Sequence, residues 1–339
     1  PWLPPAVLAA PLWVKLLECL RASCPFVASP PIAPSFPLQL TPHRAFLESP
    51  SPAGVGAGWK EQEMLKLSAF ADEISPDLDE QIRVCRENNV YHIELRGVAG
   101  KNVLDFDDAM AADIKAKLKA NGMGVSAIGS PIGKIKITDP FEPHMERFRK
   151  AVKLAELFEA PFIRIFSFYP PSDGELLYSH RDEVMRRMEA FVEYIENRDV
   201  VLVHENESHI YGEMGKECLD LMRTVNSPKL RNAFDFANYV QAGQYPKKCW
   251  QPLREYTVHI HIKDALFDGG KVVPAGQGDG CIPELLEDAW NTGYRGFLTL
   301  EPHLAHAGQF SGFSGPELFK VAVDALKKVC ADKNIPLAL

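Results

Sequence analysis

The chain has 339 residues, 46% of them hydrophobic, with a formal net charge of −8 and a pI near 5.7. That is enough apolar material for one large domain or two ordinary ones. The acidic balance argues against a nucleic-acid or anionic-membrane partner, because such surfaces need clustered lysine and arginine.

Up to Glu63, proline is dense (PWLPP, SPPIAPSFP, ESPSPAG) and apolar residues follow no sustained period of two or 3.6. LWVKLLECLRA (12–22) has a short amphipathic pattern, but Pro11 and Pro25 bracket it closely. Residues 1–63 are therefore expected to be a disordered or artefactual extension, with Met64 as the natural start of a domain spanning 64–333. Seven cysteines (Cys19, Cys24, Cys85, Cys218, Cys249, Cys281, Cys330) form no CxxC pair, which predicts reduced thiols in a cytoplasmic compartment. No apolar run reaches the roughly 18 residues needed to cross a bilayer.

From Met64 onward, short apolar strands alternate with longer amphipathic helices. The predicted strands are KLSAFAD (66–72), VYHIELR (90–96), GVSAIGS (124–130), FIRIFSF (162–168), VVLVHEN (200–206), LRNAFDF (230–236), TVHIHIKD (257–264) and GFLTLEP (296–302). Helices are predicted over 78–88, 106–122, 143–160, 181–197, 214–225, 282–293 and 316–330, several closed by Asn-Gly or opened by proline. The helix between 236 and 256 is weak, and Pro246 and Pro252 are expected to break it. Alternating strands and helices imply a parallel sheet with right-handed crossovers. Eight such units match a (β/α)8 TIM barrel, a fold of about 250 residues. A doubly wound open sheet would place a glycine-rich phosphate loop after the first strand, and FADEISPDLD contains no glycine.

In such a barrel the site lies at the C-terminal ends of the strands. VLVHENE (201–207) shows the pattern: an apolar stave that ends in ionisable groups. The last inward-facing polar residues of the fifth to eighth strands are Glu205, Asp235, His261 and Glu301, roughly one βα unit apart each time. Three converging carboxylates would raise one another's pKa, and a divalent cation removes that penalty. Three hard oxygen ligands and one imidazole suit a single divalent ion. Mn²⁺ is the first choice, with Mg²⁺, Co²⁺ or Zn²⁺ as alternatives. Read singly, Asp235 also suits a helix cap and His261 a buried, satisfied histidine.

At these residues the chain resembles the sugar phosphate isomerase/epimerase family of xylose-isomerase-like TIM barrels. The motifs that carry the resemblance are HENE (204–207), FDFANYVQAG (234–243), HIHIKD (259–264), PAGQGDG (274–280) and GYRGFLTLEPHL (293–304). The resemblance implies that Glu205, Asp235, His261 and Glu301 are metal ligands, and that Glu205 and Glu301 also act as acid–base catalysts. The implied reaction is isomerisation or epimerisation of a ketose or related polyol, by proton removal beside a carbonyl and a metal-stabilised enediolate. Where many relatives carry E-N-H and D-x-x-H, this chain has Glu207 and Asn238 in the histidine positions. That points to a single-metal site and away from DNA-repair relatives.

Further substrate contacts are expected from Lys263, two residues beyond His261, and from Glu94 and Arg96, which otherwise form a salt bridge at the mouth. The same expectation falls on Lys134, beside flexible backbone at Gly133, and on Asn238, Glu207 and His303. The alternative for Lys263 is a surface ion pair with Asp264. A lyase that dehydrates a keto-inositol is the chemical rival, since both reactions begin with the same proton abstraction. A metal-dependent endonuclease on damaged DNA and a non-catalytic sugar-binding protein are the more distant readings. The expected partner is a small sugar or polyol, with no nucleic acid, no membrane and a possible homo-oligomer.

Overall fold

The computed structural model describes residues 64–172, 174–175, 177–304 and 314–339, so the extension expected over 1–63 lies outside the described residues. Eight parallel strands form one curved sheet: β1 (Leu65–Ala69), β2 (His92–Leu95), β3 (Gly124–Ile132), β4 (Phe162–Ile165), β5 (Val201–Glu205), β6 (Leu230–Asp235), β7 (Thr257–Ile262) and β8 (Phe297–Leu300). The spatial order is β1-β8-β7-β6-β5-β4-β3-β2, and β1 and β2 lie against each other at the two ends of the ladder. This is the TIM-barrel arrangement; six of the eight strands fall within the expected stretches, while β1 begins one residue earlier, at Leu65, and β3 runs two residues further, to Ile132. Leu337–Ala338 adds a short parallel strand outside β1.

Helices wrap the sheet: α1 (Leu78–Glu87), α2 (Asp108–Ala120), α3 (Phe141–Phe158), α4 (Arg181–Tyr194), α5 (Gly215–Val225), α6 (Phe236–Gln241), α7 (Pro246–Leu253), α8 (Ile282–Asn291) and α9 (Gly315–Asp332). Local chemistry sets their ends. Asp77 caps α1 by accepting from Asp79 N at 2.8 Å, and Asp107 caps α2 by accepting from Met110 N. In α3, Met145, Phe148, Val152 and Ala155 recur at helical spacing and are buried against the sheet. The weak sixth helix is two helices. Pro246 opens the second of them, where a missing N–H costs nothing, and Pro252 sits near its end without breaking it. The described cysteines are free; Cys85, Cys218, Cys249 and Cys330 are buried, and Cys281 is partly so. Among the described residues, no helix is long and apolar enough to cross a membrane.

The strand register decides which residues meet at the mouth. Asp235 on β6 pairs with His261 on β7, and Thr299 and Leu300 on β8 pair with His261 and Ile262. Residues just past the ends of β2, β7 and β8, namely Arg96, Lys263 and Glu301, therefore rise from the same rim.

Candidate metal centre

Glu205, Asp235, His261 and Glu301 each offer one ligand-type atom, and these four atoms lie within 4.8 Å of one another. All four residues are buried. Bonds of about 2.0–2.5 Å to a common centre require a spread of this size. Asp235 is a helix cap as well: one carboxylate oxygen accepts from Asn238 N at 2.7 Å, at the start of α6. Its other oxygen is buried and has no hydrogen-bond partner. Lys263 Nζ lies 3.1 Å from that oxygen as an ion-pair contact, without hydrogen-bond alignment. A buried carboxylate oxygen held in place and left without a donor fits a cation ligand. The donor set as a whole fits a hard divalent ion.

The charges around the cluster are closely compensated. Glu205 lies 3.0 Å from His261 Nδ1 and accepts from Arg164 at 3.2 Å; burial raises its pKa, but His261 and Arg164 outweigh it and hold the carboxyl low. Glu301 accepts from Arg96 and from Lys263, each at 3.1 Å, and lies well below the ordinary carboxyl range although burial opposes this. Asp235 goes the other way. Burial first, then repulsion from Glu301 and Glu205, raises it to about 7 against the pull of Lys263. His261 and Lys263 are both lifted well above their usual values, in spite of burial, by the carboxylates around them.

The remaining expected residues fall in several places. Lys263 is buried and faces Asp235 and Glu301, not Asp264. Arg96 joins Asp72 (2.8 Å), Glu73 (3.4 Å) and Glu301, and its guanidinium stacks on Phe70. Lys134 pairs with Glu207 at 2.9 Å at the partly exposed rim, its ammonium 4.2 Å from the Phe166 ring centre. His303 has positive φ (42°), and its Nε2 lies 2.9 Å from Glu73 and 3.5 Å from Glu301. Asn238 spends its side-chain amide on Asn206 O at 2.8 Å.

Two expectations are corrected. Glu94 does not present its carboxylate to the mouth and does not pair with Arg96. It is buried beneath the cluster, where Oε2 lies 2.7 Å from His259 Nε2 and 3.1 Å from His261 Nε2. The backbone at Gly133 is not a flexible anion cradle either. Its N–H donates to His144 Nε2 at 2.8 Å, its carbonyl accepts from Phe168, and its φ of +91° lets it pack where a Cβ would strike the Phe166 carbonyl.

Several residues of the site carry no sequence period that would reveal them. Glu73, just after β1, is buried and accepts from His303 N at 3.0 Å. Arg164 was visible only as a charge inside an apolar strand. Asp264 accepts from the backbone N–H groups of Gly276, Gly278 and Gly280 at 2.9–3.0 Å, which accounts for the glycines of PAGQGDG: a Cβ at Gly280 would lie 2.6 Å from its carboxylate. Two other groups of potential ligands overlap the cluster. In Glu94–His259–His261 the shared carboxylate oxygen is already engaged by both rings, and in Glu73–Glu301–His303 the guanidinium of Arg96 contacts both carboxylates.

The fold is thus a parallel barrel with three carboxylates and an imidazole gathered at the ends of β5 to β8. The chain belongs to the xylose isomerase-like TIM barrel family, whose model matches residues 82–329. It is similar to the 3-dehydroshikimate dehydratase of Bacillus anthracis, at 22% identity over 210 residues, covering 60% of this chain and 74% of that protein. Among solved structures it is similar to 3-keto-D-glucoside 4-epimerase from E. coli (TM-score 0.60, 15% identity, 79% of this chain and 98% of that one). It is also similar to a xylose isomerase-like TIM barrel protein from Mycobacterium smegmatis in complex with magnesium (TM-score 0.59, 15% identity, 80% of this chain and 99% of that one). At these identities the structural likenesses concern the fold.

Proposed function

We propose that this chain is a divalent-metal-dependent enzyme that removes the proton beside the carbonyl of a small sugar or polyol and returns it to the same carbon framework, as an isomerase or epimerase. The convergence of Glu205, Asp235, His261 and Glu301 on one buried point carries this reading. These four residues would hold Mn²⁺ or Mg²⁺, which when bound supplies a Lewis acid for the negative charge developing on the carbonyl oxygen.

Glu205 and Glu301 are the proton carriers in this scheme. Each is gripped from a different side by a guanidinium, Arg164 for Glu205 and Arg96 for Glu301, so the two carboxylates approach a substrate from separate strands. Lys263, between Asp235 and Glu301, stands ready to neutralise an oxyanion or to hand a proton to a departing oxygen. Lys134 and Glu207 meet hydroxyls at the rim.

Dehydration is the second reading, favoured by the similarity to a 3-dehydroshikimate dehydratase and served by the same Lys263. One experiment tests both. The protein is loaded with Mn²⁺ and incubated in D₂O with a panel of ketoses and an inosose, followed by mass spectrometry. An isomerase or epimerase conserves the carbon–oxygen framework and gains solvent deuterium, whereas a dehydratase loses one water. No exchange and no product across the panel, in protein shown to bind Mn²⁺, would overturn both readings.

A further inference from the structure

Glu94 and His259, two buried ionisable residues behind the candidate centre, are not used by the chemistry proposed above. Glu94 comes from β2, three strands from β7 around the barrel, yet its Oε2 meets the Nε2 atoms of both His259 (2.7 Å) and His261 (3.1 Å). All three side chains are fully buried. Thr299 Oγ1 reaches the same His259 nitrogen at 3.1 Å, and Arg164 Nε stands 3.8 Å from the other Glu94 oxygen. The carboxylate is thus held directly by the two imidazoles of β7, with the Arg164 charge on β4 nearby and Thr299 on β8 bracing His259.

This arrangement decides how His261 is presented. An imidazole that donates Nε2–H to a carboxylate has its Nδ1 lone pair free, and Nδ1 is the atom that faces Glu205 in the candidate centre. The ring also lies edge-on to Phe70 (centroids 5.1 Å apart), which limits its rotation. We infer that Glu94 is a positioning residue that sets the tautomer and ring orientation of His261, so that Nδ1 is delivered to a divalent ion at the mouth. The inference rests on the metal reading given above and extends it one layer inward. Carboxylate partners of this kind strengthen metal binding about 10- to 100-fold in other proteins.

The test uses the full chain and two substitutions, Glu94→Leu and Glu94→Gln, with Mn²⁺ affinity measured by calorimetry and the visible absorption of bound Co²⁺ as a reporter of ligand geometry. Glu94→Leu is expected to weaken Mn²⁺ binding about 10- to 100-fold and to shift the Co²⁺ bands. Glu94→Gln, which keeps an acceptor for Nε2–H, is expected to lose less affinity than Glu94→Leu and to retain the wild-type bands. If Glu94→Leu fails to fold, Glu94→Gln carries the test alone: about a tenfold loss of affinity supports the inference, and wild-type affinity overturns it. Variants that bind Mn²⁺ like the wild type but show a raised KM would assign Glu94 to substrate instead. A wild-type protein that binds no divalent ion would defeat the metal reading itself, a result distinguishable from unchanged binding in the variants.

Discussion

Asn206 and Asp235 are joined by a reciprocal pair of hydrogen bonds: the Asn206 amide donates to the Asp235 carbonyl, and the Asp235 N–H donates back to the Asn206 side-chain oxygen, both at 3.0 Å. The side chain of one strand end thus mimics a peptide group for the next. It locks the tip of β6 to the tip of β5 and fixes the spacing between the carboxylates of Glu205 and Asp235.

Asn206→Ala would leave a backbone donor and a backbone acceptor of Asp235 buried without partners. At about 1–3 kcal/mol for each group, a loss of about 2–6 kcal/mol in unfolding free energy is expected. Urea denaturation measures this directly, and a variant within about 0.5 kcal/mol of wild type would show that the bridge is not needed.

The Asp264 carboxylate is wrapped by three glycine amides, two of them at positions where a Cβ would collide with it. Gly280→Ala is expected to cost about 1–3 kcal/mol through overpacking. Asp264→Ala is expected to cost at least as much, by stranding the amides of the 276–280 loop. Thermal denaturation should show both variants melting below the wild type.

Glu301→Gln keeps the size of the side chain and an oxygen acceptor for Arg96, but cannot carry a proton between substrate positions. Turnover is expected to fall by about 10²- to 10⁴-fold or more with the fold intact. Deuterium exchange from solvent into substrate is the readout. Wild-type exchange in this variant would refute the acid–base role.

His144 should impose a pH dependence on stability that is independent of the mouth. Its Nε2 accepts from Gly133 N, so the ring must be neutral; burial first, then Arg147 and Arg187, lower its pKa from 6.5 to about 4. Between these values the unfolded chain takes up the proton first. The contribution is therefore full above pH 6.5 and is lost as the pH falls toward 4. Over that range the wild type should lose on the order of 2 kcal/mol relative to His144→Phe. Parallel stability curves for the two proteins would contradict the assignment.

The barrel was legible because period-two apolar runs and capped helices repeat along the chain, and the cluster because Glu205, Asp235, His261 and Glu301 each end such a run. What orients them was not. Glu94 reads as one more strand-end carboxylate, and nothing local reveals that it turns inward to His259 and His261, residues more than 160 positions away. Glu73 finds His303 230 positions away and Arg164 finds Glu205 41 positions away, and the glycines of PAGQGDG acquire their meaning only from the Asp264 carboxylate they surround. Long-range pairing inside a closed sheet follows from register and closure, which local pattern does not encode.

Calorimetric titration of the metal-stripped protein with Mn²⁺ bears most directly on the four-residue centre. One ion per chain is expected, with binding severely weakened in each of Glu205→Gln, Asp235→Asn, His261→Gln and Glu301→Gln. No binding by the wild type, or four folded variants that bind as tightly as it does, would contradict a metal centre at the ends of β5 to β8.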